Sequence, residues 1–134
     1  LLLTVISCSK NSNDIDFVEN NIDEINEEEI FDANADYQLL FIGNSLTIVN
    51  NLPLLVKNRG KEMGLSISCT AELGSGFGLE DHWNVGLIQS QISSNFYDFV
   101  IIQQGPSSQA YGRASLIDYG GRIAQLCSTI DTQL

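Results

Sequence analysis

Short apolar runs of strand length alternate with longer segments of helical periodicity from Tyr37 onward. The run QLLFIG at residues 38–43 is apolar up to its closing glycine, as in a strand buried on both faces of a parallel sheet. Residues 65–70 alternate apolar and polar positions, and residues 97–103 (YDFVIIQ) form a continuous β-branched and aromatic run. The pattern predicts three strands.

A helix is predicted after each strand. The first is capped by Asn51, carries Pro53 in its first turn and ends before Gly64, whereas the other two span about residues 79–93 and 115–129. Residues 44–47 are predicted to form a turn, and the pair at 120–121 (GG) is expected to mark close packing of the last helix on the sheet. The side chains predicted to face the sheet are Leu52, Leu55, Val56 and Met63 in the first helix, Trp83, Leu87, Ile88 and Ile92 in the second, and Leu116, Ile123, Leu126 and Cys127 in the third.

Three strand-helix repeats with short connections indicate parallel strands joined by right-handed crossovers, with helices on both faces. The predicted fold class is α/β, a flavodoxin-like three-layer α/β/α arrangement around a parallel sheet. Three strands are few for such a fold, and residues 131–134 (DTQL) do not close the sheet. We therefore expect residues 37–134 to be a partial domain, truncated after about three β-α units.

Acidic residues are concentrated ahead of this domain. The chain has 134 residues and a formal net charge of -11, and residues 14–36 contain ten of its 17 Asp and Glu side chains. Because residues 9–36 have few large apolar side chains, they are predicted to form a disordered acidic tether, with a weak helical stripe of Ile22, Ile25 and Ile30 as the alternative. Such a charge leaves no basic face for phosphates, so nucleic-acid binding is not expected.

Residues 1–8 (LLLTVISC) are apolar up to a cysteine preceded by a small residue. They resemble the end of a bacterial lipoprotein signal peptide, in which that cysteine is lipidated. The resemblance implies a lipid anchor at Cys8 and a place in the bacterial cell envelope, facing the periplasm or the surface. A buried first strand ending in a structural cysteine is the alternative.

The two other cysteines, Cys69 and Cys127, have no nearby partner in a C-x-x-C pair, and His82 is the only histidine. This composition does not favour a zinc or redox site. No metal or organic cofactor is expected. A disulfide between Cys69 and Cys127 and two buried thiols remain as alternatives.

Three predicted loops meet at the carboxyl edge of the sheet, where ligands of open parallel sheets bind. Residues 43–45 supply a hydroxyl, residues 74–78 supply backbone amides, and residues 103–107 supply a carboxamide. A serine hydroxyl beside N–H donors is what acyl transfer requires, because the donors stabilise the tetrahedral oxyanion.

At these loops the chain resembles the SGNH (GDSL-like) hydrolase superfamily over about residues 38–110. The block FIGNSLT, residues 41–47, is similar to the first family block, which implies that Ser45 is the nucleophile. Gly76 is similar to the second-block glycine, whose amide helps to form the oxyanion hole. Where the family often has Gly-x-Asn-Asp, the sequence IQQGPS at residues 102–107 makes Gln103 or Gln104 the candidate side-chain donor. We favour Gln103 because it ends the strand.

The fourth family block, Asp-x-x-His, does not occur in the printed sequence. Asp131 has no histidine three residues later. The sequence as printed is therefore expected to be inactive or nearly so, since a serine without a base is a weak nucleophile. His82 is expected to pack or to support the site from behind rather than to act as the base.

Each motif also has a purely structural interpretation. Asn44 and Ser45 can form a simple turn with a helix-capping serine, and both glutamines can bond loop backbone. Residues 74–78 can form a flexible turn or a phosphate loop, although the full Gly-x-Gly-x-x-Gly spacing is absent.

The leading functional prediction is a lipid-anchored serine esterase that removes an acyl group such as acetyl from a small molecule or polysaccharide. The substrate class rests on the resemblance and on the outward-facing anchor, because no residue pattern in the sequence identifies a sugar site. The alternative is a non-catalytic ligand-binding or adhesion lipoprotein that uses the same crevice.

Overall fold

The computed structural model describes residues 32–105 and 109–131, and it confirms the predicted α/β class. In chain order the elements are β1 (Tyr37–Gly43), α1 (Ser45–Val49), α2 (Leu52–Glu62), β2 (Ile67–Leu73), α3 (Leu79–Val85), α4 (Leu87–Ser94), β3 (Phe99–Ile102) and α5 (Ala110–Asp131). Cys8 and the predicted tether up to residue 31 lie outside the described residues, so the lipid anchor stays a prediction.

The three strands form a parallel sheet in the order β2-β1-β3. Leu39 of β1 is paired with Cys69 of β2 on one side and with Phe99 of β3 on the other. Because all three strands run in the same direction, the loops that follow them lie at one edge of the sheet. The loop after β1 lies between the other two.

Helices cover both faces of the sheet and give three layers. On one face Leu40 and Ile42 of β1 belong to a buried cluster with residues of α3, α4 and α5, among them Leu79 and Ile123. On the other face Leu39, Phe41 and Cys69 pack against Leu52 and Val56 of α2. This arrangement explains why β1 reads as a continuous apolar run, since a strand buried on both faces has no polar side.

The predicted single helix over residues 79–93 is two helices. Gly86 lies between α3 and α4 with φ 85°, in the left-handed region that favours glycine, and its amide donates to the His82 carbonyl at 3.3 Å. Leu87, predicted to face the core, is consequently exposed, whereas Ile88 and Ile92 are buried.

Two other helical segments differ from the prediction. Residues 45–49 form α1 instead of a turn, because the Asn44 side chain accepts a hydrogen bond from the Leu46 amide and caps the helix. The last helix starts at Ala110, five residues before the predicted start. It packs closely on the sheet at Gly120 as predicted, since an added Cβ would lie 3.3 Å from Ile102. Gly121, for which the same was predicted, is exposed, and its added Cβ would meet nothing within 4 Å.

Strand bounds and one helix face also differ. β2 is Ile67–Leu73 instead of residues 65–70, because it pairs residue by residue with all seven positions of β1. β3 is shorter than predicted, with four residues. Asn51, just before α2, makes no side-chain cap hydrogen bond. Leu55 in α2 and Met63 just after it are exposed, whereas Leu52 and Val56 pack on the sheet.

The last residues of the predicted tether contact the folded unit. The amide of Asp32 donates to Ser68 Oγ at 3.0 Å, and the carboxylate of Asp36 accepts from the Ser66 amide at 2.8 Å. Residues 32–36 therefore extend the structured part ahead of the predicted start at Tyr37.

Cys69 and Cys127 pack on opposite faces of the sheet, and no disulfide joins them. Of the two alternatives left open by the sequence, the structure therefore shows free thiols, buried at Cys69 and partly buried at Cys127.

In the two described stretches, no helix is long and apolar enough to cross a membrane.

Candidate active site

The loops after β1, β2 and β3 line one cleft of about 460 Å³ at the carboxyl edge of the sheet. Ser45, Gly76 and Gln104 all contribute to its wall, whereas Gln103 does not. Three of the four predicted site residues are thus brought together around a single cavity.

Asn44 fixes the position of Ser45. Its Oδ1 accepts from the Leu46 amide at 3.1 Å, and its Nδ2 donates to the Phe77 carbonyl at 3.0 Å, so it joins the loop after β1 to the loop after β2. Ser45 is the first residue of α1 and is half-buried. Its hydroxyl has no hydrogen-bond partner among the described residues and is available to a molecule in the cleft.

Gln103 joins the loops from behind the cleft wall. Its Oε1 accepts from the Asn44 amide at 3.0 Å and from Thr47 Oγ1 at 3.2 Å, while its Nε2 donates to the Gln104 carbonyl at 2.8 Å. A Cβ at Gly43 would lie 2.7 Å from Thr47 Oγ1, so this cluster forms only because position 43 is glycine. The Gln103 carboxamide is therefore already used within the protein.

Gln104 presents its side chain to the cleft. Its Oε1 accepts from the Leu79 amide at 2.8 Å, which holds the carboxamide in one orientation. Its Nε2 finds no acceptor within the part of the chain that the structure describes. The geometry thus favours Gln104 as the side-chain donor, in contrast to the preference for Gln103 based on the sequence.

Gly76 also lines the cleft. Gly76 lies in the turn after β2, in which the Phe77 amide donates to Gly74 and the Gly74 amide donates to Gly43. The amides of Gly74 and Phe77 are thus bonded, whereas Gly76 N–H has no acceptor among residues 32–105 and 109–131. It can serve a carbonyl oxygen in the cleft.

His82 is buried below the loop after β1. Its Nε2 lies 2.8 Å from the Gly43 carbonyl, and its ring meets Phe77 edge to face with centroids 5.1 Å apart. Because a carbonyl only accepts, Nε2 carries the proton and donates. His82 therefore anchors the end of β1, and no hydrogen bond joins it to Ser45.

Acidic and aromatic residues form another part of the cleft wall. Glu80 Oε2 accepts from the Tyr111 hydroxyl at 2.6 Å, and Asp81 Oδ2 accepts from the Gly78 amide at 2.8 Å. The hydrogen bond to Glu80 and the charge of that carboxylate raise the pKa of Tyr111, which keeps its hydroxyl a donor. Among the described residues no Lys or Arg lines the cleft, so its field disfavours anionic ligands.

Sequence reasoning missed the contact between Glu80 and Tyr111. The two residues are 31 positions apart, in separate helices, and become neighbours only when α3 and α5 pack together. The one signal in the sequence was that each follows a loop at the carboxyl edge of the sheet.

Other candidate chemistry lies away from the cleft. Burial raises the pKa of Cys69 to about 11, and its Sγ contacts the Pro53 carbonyl at 3.5 Å, so this thiol is neutral and is a poor nucleophile. Within the described stretches, no group of three or more His, Cys, Asp or Glu side chains has the arrangement of a metal site.

Comparison of the chain with models of protein families, with curated proteins and with solved structures found no match.

Proposed function

We propose that the chain carries the nucleophile and oxyanion donors of a serine acyl hydrolase of the SGNH type, acting on neutral esters such as acetylated carbohydrates. One observation carries the proposal. The Ser45 hydroxyl, which has no partner among the described residues, lines the same cleft as the Gly76 amide and the Gln104 carboxamide. A nucleophile beside two N–H donors is the minimal set for acyl transfer.

In this proposal Ser45 Oγ attacks the carbonyl carbon of the ester, and its proton passes to a general base. The π electrons of the carbonyl move to oxygen, and the Gly76 and Gln104 donors stabilise the resulting oxyanion. Collapse of this intermediate breaks the bond to the alcohol, which leaves with the proton from the base. Water then attacks the acyl-serine in the same way and releases the acid.

The described residues do not supply the base. His82 donates to Gly43 and is the one histidine in the described part of the chain. The family resemblance implies a base in an Asp-x-x-His block. Hydrolysis is therefore measured on the full-length gene product.

Replacing Ser45 by alanine tests the proposal. Ser45→Ala should lower kcat/KM for 4-nitrophenyl acetate at least about 1000-fold, because the covalent step is lost while the donors remain. Ser75→Ala is the matched control: Ser75 is exposed in the neighbouring turn, and its removal should leave kcat/KM unchanged. Ester hydrolysis at the wild-type rate in Ser45→Ala would show that Ser45 is not the nucleophile.

A second candidate function, a non-catalytic ligand-binding or adhesion lipoprotein, is supported by the lack of a base near Ser45 among the described residues. The two candidates differ in one measurement. The hydrolase turns over an ester in a Ser45-dependent manner, whereas the binding protein retains the ester unchanged in the cleft.

A further inference from the structure

One wall of the cleft contains an aromatic ring that is open to solvent and held in place. Tyr111 is 71% exposed, although it lies in a cavity wall, and its hydroxyl bonds to Glu80 at 2.6 Å. A large exposed ring fixed by a short hydrogen bond loses little conformational freedom when a ligand stacks on it. Such a ring is preorganised for binding.

Hydrogen-bond acceptors line the same cleft as this ring. Glu80 accepts from Tyr111 and also interacts with the Tyr119 hydroxyl, and Asp81 accepts from the Gly78 amide. Because a carboxylate has about four lone-pair positions, each keeps room for a further donor. The exposed Gln109 lines the same cleft. The wall thus combines one apolar face with several groups that can accept from hydroxyls.

We propose that Tyr111 and Glu80 form a subsite for the sugar ring of a neutral carbohydrate ester whose acyl group lies at Ser45. The inference rests on the proposed hydrolase function and assigns the residues that bind the sugar part of its substrate. A pyranose ring has an apolar C–H face that stacks on an aromatic ring, and its hydroxyls donate to carboxylates. Both parts of this chemistry are present side by side in the cleft.

Other ligand classes fit this wall less well. A long acyl chain would desolvate the Glu80 and Asp81 carboxylates without replacing their hydrogen bonds. A quaternary ammonium group is bound by a cage of several aromatic rings, but Phe77 is half-buried with its ring against His82. An anion meets two carboxylates and, among the described lining residues, no cationic side chain.

The test measures the affinity of the full-length gene product carrying Ser45→Ala, which prevents turnover, for an O-acetylated methyl xyloside by calorimetric titration. Adding Tyr111→Ala should weaken binding about 10-fold, the upper range for an aromatic contact. Adding Tyr111→Phe should weaken it less, because the ring is kept. Adding Glu80→Gln should weaken binding to a level between these two.

Tyr37→Ala is the matched control, because Tyr37 is an exposed tyrosine at the start of β1, away from the carboxyl edge. It should leave the affinity unchanged. Binding of the sugar that is undiminished in Tyr111→Ala, no binding of the sugar at all, or tighter binding of acetylcholine than of the sugar would each overturn the subsite.

Hydrolysis of 4-nitrophenyl acetate by the wild-type protein separates the two proposals. Ser45-dependent hydrolysis together with undiminished sugar binding by Tyr111→Ala would leave the hydrolase and remove the subsite. Loss of sugar binding in Tyr111→Ala without any ester hydrolysis would remove the hydrolase and keep the subsite as a binding site.

Discussion

At the scale of single residues, two adjacent glutamines have different roles. Gln103 bonds Asn44, Thr47 and the Gln104 backbone, and it does not line the cleft. Gln104 is held by the Leu79 amide and faces the cleft. The first maintains the arrangement of the loops, and the second is available to a molecule in the cleft.

Replacing each glutamine by glutamate should separate these roles. Gln104→Glu keeps an oxygen for the Leu79 amide but removes the N–H donor, so kcat should fall about 100- to 1000-fold with little change in KM. Its melting temperature should stay near that of the wild type. These values come from steady-state kinetics and thermal unfolding of the full-length gene product.

Gln103→Glu should instead lower the melting temperature, because the new carboxylate oxygen faces the Gln104 carbonyl where an N–H donor stood. Its kcat should fall less than that of Gln104→Glu. The opposite pattern, with the larger loss of kcat at position 103, would return the donor role to Gln103.

The sequence was sufficient to predict that Ser45 and Gly76 lie together, but not which glutamine joins them. The Gln103 amide donates to the Ile42 carbonyl at 2.8 Å and continues the pairing of β3 with β1, which places its side chain behind the loop. The partner strand β1 determines the residue at which the pairing with β3 ends. The sequence of β3 alone does not contain that information.

At the scale of elements, the joint between α3 and α4 depends on one backbone conformation. Gly86 has φ 85° and caps both helices, and its added Cβ would meet no atom within 4 Å. Any cost of a side chain there therefore comes from the backbone rather than from crowding.

Gly86→Ala should lower the free energy of unfolding by about 1 kcal/mol, because alanine is strained in the left-handed region. Gly121→Ala is the matched control: Gly121 is exposed inside α5, and its added Cβ also meets nothing within 4 Å. It should raise the free energy of unfolding by about 0.5–1 kcal/mol through helix propensity. Chemical denaturation measures both values, and equal effects of the same sign would contradict the assigned conformation.

The number, type and order of the main elements were predictable because buried strands and amphipathic helices leave strong periodic patterns. The residues at which these elements begin and end were less predictable. The bounds of β2 follow from its pairing with β1, the split at Gly86 from one dihedral angle, and α1 from a single side-chain cap at Asn44. Each is a tertiary or local geometric effect that periodicity does not report.

At the scale of the whole molecule, the parallel order β2-β1-β3 creates the cleft. It puts the loop with Ser45 between the loops with Gly76 and Gln104, so one topology brings together residues that are up to 59 positions apart in sequence. The rule that ligands bind at the carboxyl ends of parallel strands located this cleft from the sequence. The rule does not identify the ligand. The contact between Tyr111 and Glu80 in the cleft wall forms only when the chain folds.

In the proposed function, Ser45 is the reacting group of this cleft. The most direct measurement treats the full-length gene product with a serine-directed fluorophosphonate and maps the adduct by peptide mass spectrometry. Ser115 provides an internal comparison, because it is the other serine among the described residues that line the cleft. We predict one adduct, on Ser45, and none in Ser45→Ala. An adduct on Ser115, or no adduct on Ser45 in the wild-type protein, would contradict the assignment.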